Sequence, residues 1–137
     1  MTEQELKART RQFALRILKV VDALPNTHSG RVIANQLGRA GTSVGANYRA
    51  VCRSRSTAEM LSKMAVVEEE ADESEFWLDI TAAHGAMPAK KLEPLLKEAG
   101  ELVAIMVASQ KTLRRKQTTG AAAPQSKIQN PKSKITS

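Results

Sequence analysis

The segment Arg39-Ala-Gly-Thr-Ser-Val-Gly-Ala-Asn-Tyr-Arg-Ala-Val-Cys-Arg-Ser-Arg-Ser56 decides the fold of this chain. In the wider segment 29–54, hydrophobic and small residues recur at alternating intervals of four and three residues, the repeat of one face of an α-helix. The positions on this repeat are Ile33, Leu37, Ala40, Val44, Asn47 and Val51. The repeat predicts a helix over 29–54 that presents one continuous face to neighbouring helices.

Three glycines lie on one side of this predicted helix. Gly38, Gly41 and Gly45 are spaced three and four residues apart, and each destabilises a helix by about 1 kcal/mol relative to alanine. Their presence predicts that the backbone of a neighbouring helix approaches closely. The spacing fits neither the Walker motif nor the dinucleotide-binding fingerprint, and no strand precedes it, so the pattern does not favour a phosphate-binding loop.

Asn47 falls on the same repeat as the apolar residues. A buried amide destabilises a helical core but can fix the register of the packed helices. The position favours a structural role for Asn47, with a contact to a ligand or to nucleic acid as the alternative.

The same helix is strongly basic. From position 31 to position 55, just past its predicted end, the chain carries five arginines and no acidic residue, namely Arg31, Arg39, Arg49, Arg53 and Arg55. Arg49 and Arg53 are four residues apart and therefore face the same way. Two interpretations stay open: the arginines pair with acidic residues of the next helix, or they contact phosphates of a nucleic acid.

Two further helices begin at recognisable caps. Thr2 and Glu5 have the spacing of a capping box, and Ser56 and Glu59 repeat it. Helices are therefore predicted over 2–24 and 56–84. Glycine at position 85 follows the second of them and favours its termination.

A fourth helix is predicted after the turn at Pro88. Pro94 is expected in its first turn, where the missing N–H costs little, and the helix is expected to end at a basic cluster. That cluster contains Lys111, Arg114, Arg115 and Lys116. The cluster is a second candidate for contacts with nucleic acid, although compensation of the helix dipole explains it equally well.

The four repeats predict an all-α fold, an antiparallel up-down four-helix bundle over residues 1–116. Beyond it the apolar period ends, and Gly, Ala, Pro, Ser, Gln and Lys predominate. We therefore predict a disordered basic tail over 117–137. The chain of 137 residues has the length of one domain.

Charge is distributed unevenly over the chain. The net charge is +7, yet segment 56–84 holds eight acidic residues against one lysine. A basic helix that precedes an acidic one indicates charge complementarity, within a subunit or between subunits. The basic excess elsewhere makes an anionic partner worth testing.

Phe76 and Trp77 are adjacent on the third helix and cannot both point into one narrow core. One is expected to pack in the core and the other to fill a subunit interface. Stacking on bases is the alternative.

The sequence offers no basis for catalysis. Its two histidines, His28 and His84, fall in predicted turns, and neither Cys52 nor Ser56 has a histidine within reach by sequence. We expect no catalytic residues, no metal and no cofactor. The lone cysteine and the lack of an apolar leader or membrane span indicate a cytoplasmic protein with no membrane partner.

Several of these segments resemble a known family. The segments 42–47 (Thr-Ser-Val-Gly-Ala-Asn), 54–56 (Ser-Arg-Ser) and 69–78 (Glu-Glu-Ala-Asp-Glu-Ser-Glu-Phe-Trp-Leu), with Gln36-Leu37 upstream, are similar to the bacterial four helix bundle family. That family is also called the 23S ribosomal RNA intervening-sequence protein family. The resemblance covers about residues 10–116. Many members carry a glutamate after the asparagine, where this chain has Ala50, so no role of that glutamate is carried over.

The resemblance implies a bundle that assembles as a ring-like homopentamer without catalytic activity. Some members are encoded within intervening sequences of 23S rRNA genes, and a related branch serves diversity-generating retroelements as an accessory protein. Two functions follow as hypotheses. The chain binds nucleic acid, structured RNA above all, through its basic surfaces, or it is a structural adaptor that recruits a protein partner such as a reverse transcriptase. The expected partners are further copies of itself, nucleic acid and a protein.

Overall fold

A computed structural model describes residues 1–122, with side chains up to residue 118. It contains four helices: α1 (Glu3–Ala23), α2 (His28–Cys52), α3 (Thr57–His84) and α4 (Ala89–Ala122). Each helix packs against the next one in the chain, and α1 also meets α4. Since turns of four residues join them, successive helices run antiparallel. The all-α prediction and the four-helix architecture are confirmed.

The helix starts follow the capping chemistry of the sequence. The Thr2 hydroxyl accepts the N–H of Glu5 at 3.0 Å, and the Glu5 carboxylate accepts the N–H of Thr2 at 2.7 Å, which confirms the first capping box. The hydrogen bond from the Thr2 backbone also lowers the pKa of Glu5. Helix α2 begins at His28 because the hydroxyl of Thr27 accepts the N–H of Gly30, a cap that the sequence analysis missed.

The second predicted capping box is only half formed. The Ser56 hydroxyl accepts the N–H of Glu59 at 3.0 Å, as expected. The Glu59 carboxylate, however, accepts the N–H of Arg55 rather than that of Ser56. Glu59 therefore fixes the turn between α2 and α3 as well as the start of α3.

The structure confirms the predicted end of α3 but differs from the predictions for α4. Gly85 adopts the left-handed conformation with φ of 81°, and the N–H of Ala86 donates to the carbonyl of Thr81, which ends α3 as predicted. Pro94 lies inside α4, one turn beyond the expected first turn, so that prediction is wrong. Helix α4 also runs to Ala122 rather than stopping at Lys116. The rest of the predicted tail lies outside the described residues.

The core follows the predicted repeats closely. Ile17 of α1, Val44 of α2, Leu78 of α3 and Leu102 of α4 are all completely buried. Met60 and Met64 are partly buried and pack at its margin. Burial of such side chains contributes about 1.5–3 kcal/mol each, which makes this core the main stabilising feature of the bundle.

The structure corrects one core position of the predicted α2 repeat, since Tyr48 is buried there instead of Asn47. Tyr48 is buried with 4% of its surface exposed, while its neighbour Asn47 is only partly buried. The Asn47 amide donates to the carbonyl of Ser43 in its own helix at 2.9 Å. Asn47 is therefore not a buried amide of the core, and its hydrogen bond holds no second helix in register.

The glycine side of α2 lies directly against α1. A Cβ added at Gly41 would meet the side chain of Ile17 at 2.6 Å, and one added at Gly45 would meet the carbonyl oxygen of Thr10 at 3.2 Å. A Cβ at Gly38 would lie 3.7 Å from Val21, at ordinary contact distance. Of the three glycines, Gly41 therefore has the least room for a side chain between α2 and α1.

The contact between α1 and α2 yields a paired stability prediction. Gly41→Ala and Gly38→Ala gain the same helix propensity, about 1 kcal/mol, but only Gly41→Ala overpacks a buried side chain, at about 1–3 kcal/mol. Urea denaturation should find G38A more stable than the parent and G41A less stable than G38A by about 1–3 kcal/mol. Equal shifts for the two variants would show that α1 does not lie tightly on this strip.

Candidate nucleic-acid interface

The register of α2 against α3 determines which arginines find acidic partners. Arg39 donates to Glu70 at 3.1 Å and, with a shorter bond, to Glu73. These hydrogen bonds, from Glu73 first, raise the pKa of the Arg39 guanidinium. Of the two interpretations of the arginines, Arg39 therefore follows the first: it forms ion pairs with the acidic helix α3.

Arg49 and Arg53 lie in a different environment. They line a groove of about 390 Å³ between the C-terminal part of α2 and the first turns of α3. Ala46 and Ala50 line the α2 side of the groove together with the arginines, and α3 contributes Glu59 and Lys63. The α2 side of the groove is therefore formed by two arginines and two small side chains.

The groove carries an excess of positive charge. Neither arginine, nor Lys63, makes an ion pair with any residue of the described part of the chain. Glu59 is the one acidic residue in the lining, and its carboxylate already accepts the backbone N–H of Arg55. Three cations thus face one acid, in an open groove that an anion can enter.

Lys63 is a site residue that the sequence analysis did not single out. In an antiparallel pair of helices, residues at equal distances from the turn lie side by side, as Arg39 and Glu70 do. The same relation places Lys63 beside Ala46. This signal was present in the sequence, but it becomes usable only once both helix boundaries at the turn are known.

The remaining basic candidates divide between the two ends of the bundle. Arg55 lies exposed in the turn beside the groove. Arg31 lies at the opposite end, where its guanidinium donates to the Asn26 side chain at 3.2 Å. The structure therefore does not bring Arg31 to the groove.

The basic cluster of α4 lies at the same end as the groove. Gln110 donates to Glu68 of α3 at 2.8 Å, so the α4 residues that follow it lie beside the first turns of α3. Lys111, Arg114, Arg115 and Lys116 are all exposed. The last turn of α4 contains no basic residue, so compensation of the helix dipole does not explain the cluster.

One of the two adjacent aromatic residues packs on the core as predicted, while the subunit interface predicted for the other stays a prediction. Trp77 packs against the core, while Phe76 keeps 54% of its surface exposed. Their rings meet edge to face with centroids 5.1 Å apart. Phe76 is therefore an apolar side chain available on the outer face of α3.

The lone thiol is not chemically activated. Burial raises the pKa of Cys52, and it raises the pKa of neighbouring Tyr48 as well. A thiol with a raised pKa stays protonated at neutral pH, whereas a nucleophilic cysteine needs a lowered one.

Among the described residues, no group of histidine, cysteine and acidic side chains is arranged to hold a metal ion. Nor does the described part contain a helix that is long and apolar enough to cross a membrane.

Residues 2–108 match the family model described as 23S rRNA-intervening sequence protein. The chain belongs to this family. The match spans α1 to α3 and most of α4, including every residue that lines the groove.

A solved structure extends the family comparison to three dimensions. The bundle is similar to the crystal structure, at 1.70 Å resolution, of a protein with unknown function from the S23 ribosomal protein family of Bacteroides thetaiotaomicron VPI-5482. The two chains share 27% sequence identity with a TM-score of 0.75, over 81% of this chain and 99% of the other. No curated protein matches the chain.

Stability measurements on this member of the 23S rRNA-intervening sequence protein family distinguish Arg39, which forms ion pairs, from Arg49 and Arg53, which form none in the described chain. Arg39→Gln should lower the melting temperature slightly, because an exposed ion pair contributes at most about 1 kcal/mol. The double variant Arg49→Gln/Arg53→Gln should leave it nearly unchanged, because relief of the repulsion between two like charges offsets the loss of a cation from the last turn of α2.

Thermal melts at low and high salt provide the comparison. Salt should reduce the difference between the parent and R39Q, since it screens the ion pair. If R49Q/R53Q is destabilised as much as R39Q, the groove arginines are structural and the site interpretation is wrong.

Proposed function

We propose that this protein is a non-enzymatic RNA-binding protein of the cytoplasm, and that structured RNA binds in the groove between α2 and α3. The observation that carries the proposal is the contrast within one helix. Arg39 is neutralised by two glutamates, whereas Arg49 and Arg53 lie with Lys63 in an open groove and have no ion-pair partner in the described chain.

The chemistry of the groove suits phosphate. Arginine presents a planar fork of donors that matches phosphate oxygens, and lysine adds a point charge. Binding of this kind releases counterions, so the logarithm of affinity falls by about 0.7–0.9 per phosphate contact for each decade of salt. Three contacts predict a shallow but measurable salt dependence for one subunit.

RNA binding is tested with three proteins and one ligand. The ligand is a fluorescently labelled hairpin derived from 23S rRNA, titrated at graded salt concentrations. The proteins are the parent, Arg49→Gln/Arg53→Gln, and the matched control Lys90→Gln/Lys91→Gln, whose exposed lysines lie at the far end of the bundle. Both variants lose two positive charges.

We expect the groove variant to bind on the order of tenfold more weakly at 100 mM salt, with its salt slope reduced by about 2. The far-end variant should behave as the parent. A parent that does not bind the hairpin at 50 mM salt, or two variants that lose affinity equally, would contradict the proposal. Circular dichroism confirms that both variants keep the helical fold.

We also propose that the chain self-associates, as the family resemblance implies for a homopentamer. Within the helices, four large apolar side chains are at least 40% exposed, which supports a further buried surface. They are Leu15, Leu18, Val32 and Phe76. Light scattering measures the mass directly, and an assembly multiplies the number of grooves available to one RNA.

The adaptor function is the second candidate. Exposed Phe76 lies on the outer face of α3, on the acidic part of the bundle rather than at the groove. An aromatic side chain in that position suits a protein partner better than RNA. Provided that light scattering gives Phe76→Ala the same mass as the parent, the variant should leave RNA affinity unchanged, and under the adaptor function it weakens the binding of the protein partner alone.

A further inference from the structure

The topology brings a second group of cations to the end of the bundle that holds the groove. Helices α2 and α4 both pack on α3, and they contact different sides of it, since Glu70 and Glu73 meet α2 while Glu68 meets α4. The groove lies on the α2 side. On the other side, the contact between Gln110 and Glu68 places the following turns of α4 beside the start of α3.

Two of the α4 cations lie on the side of their helix that faces α3. A Cβ at Gly100 would meet the carboxylate of Glu75 at 3.4 Å, so this side of α4 faces α3. Lys111 and Arg114 follow Gly100 by close to three and four helical turns and therefore share its side. Both side chains are exposed, and neither makes an ion pair in the described chain.

The outer surface of α3 between the two cationic groups is small and uncharged. At the positions that point away from the core, the first turns of α3 present Ala58, Ser62 and Ala65. The first acidic residue on this outer face is Glu69, two turns or about 10 Å beyond Ser62. A polyanion that crosses α3 at these positions meets no acidic side chain on the outer face, and the Glu59 carboxylate at the edge of the groove is turned to the backbone N–H of Arg55.

All four aromatic residues of the chain lie elsewhere or are buried. Phe13 and Tyr48 have 1% and 4% of their surface exposed. Trp77 packs on the core, and exposed Phe76 is about four turns, or roughly 21 Å, beyond Ser62 along α3. Unpaired bases are held mainly by stacking on exposed aromatic rings, and this end of the bundle presents cations and small side chains instead.

We infer that this end of the bundle binds the sugar–phosphate backbone of an RNA duplex, with each cationic group on a different strand. Arg49, Arg53 and Lys63 contact one strand, and Lys111 and Arg114 contact the other. This inference rests on the proposed function and specifies the kind of RNA. Axes of packed helices are about 8–10 Å apart, so the axes of α2 and α4 are at most about 20 Å apart. Two cationic groups on either side of one helix suit the two phosphate rows that border a groove of a duplex.

The inference is tested with an RNA duplex of about 16 base pairs, the length that a small double-strand-binding domain covers, and with one of its strands alone. For the parent we expect the duplex to bind at least tenfold more tightly, with a salt slope near −4 for five phosphate contacts. Arg49→Gln/Arg53→Gln and Lys111→Gln/Arg114→Gln should each reduce the duplex slope by about 2. Lys90→Gln/Lys91→Gln is again the control and should reduce neither the slope nor the affinity.

The outcomes separate this inference from the proposed function. A single strand that binds as tightly as the duplex overturns the duplex inference but leaves RNA binding standing. The same holds if the α4 variant behaves as the far-end control while the groove variant loses affinity. Absence of binding to both ligands at 50 mM salt overturns both proposals. The charge-conserving variants Arg49→Lys/Arg53→Lys and Lys111→Arg/Arg114→Lys should keep most of the affinity, which shows that any loss comes from charge and not from misfolding.

Discussion

The antiparallel register of α2 on α3 is the constraint on which the functional surface depends. The acidic residues of α3 begin about three turns after the helix starts, apart from Glu59. In this register Arg39 reaches Glu70 and Glu73, while the arginines nearer the turn lie opposite a part of α3 that has only one acid. A shift of one helical turn would change which arginines are neutralised. The packing of two helices thus leaves one end of the bundle positive.

The other contacts of the bundle hold this register in place. Helix α1 lies against the glycine side of α2, close enough that Gly41 has no room for a Cβ beside Ile17. At a neighbouring position of α1, Arg9 donates to Glu98 of α4 at 2.6 and 2.8 Å and also pairs with Glu101. These hydrogen bonds, from Glu98 first, raise the pKa of Arg9. Helix α1 therefore connects α2 to α4, the two helices that carry the cationic groups.

Much of this architecture could be predicted from the sequence because it depends on local rules. The apolar repeats, the cap at Thr2 and the stop at Gly85 each specify their own helix, and the glycine spacing indicated a close neighbour. Three features depended on tertiary context instead. Tyr48 rather than Asn47 enters the core, α4 continues through the exposed Pro94, and Lys63 joins the site only through the register of two helices. The extension of α4 past its basic cluster also could not be inferred, because the residues after Lys116 favour neither state clearly.

The family match and the solved structure agree on the fold of this chain. Membership of the 23S rRNA-intervening sequence protein family is shown by the match over residues 2–108, and the S23-family crystal structure shares the bundle. The central claim is that the groove charge is unneutralised in the fold and available to RNA. Ala46→Glu tests it most directly, because Ala46 is exposed in the groove, lies beside Lys63 and precedes Arg49 by one turn. RNA affinity and melting temperature are measured for this variant and for Ala104→Glu, an exposed site on α4 away from the groove. The account predicts that A46E alone loses RNA affinity while its melting temperature holds or rises, since the new pair adds about 0.2–0.5 kcal/mol. Unchanged RNA affinity in A46E, or an equal loss in A104E, would contradict it.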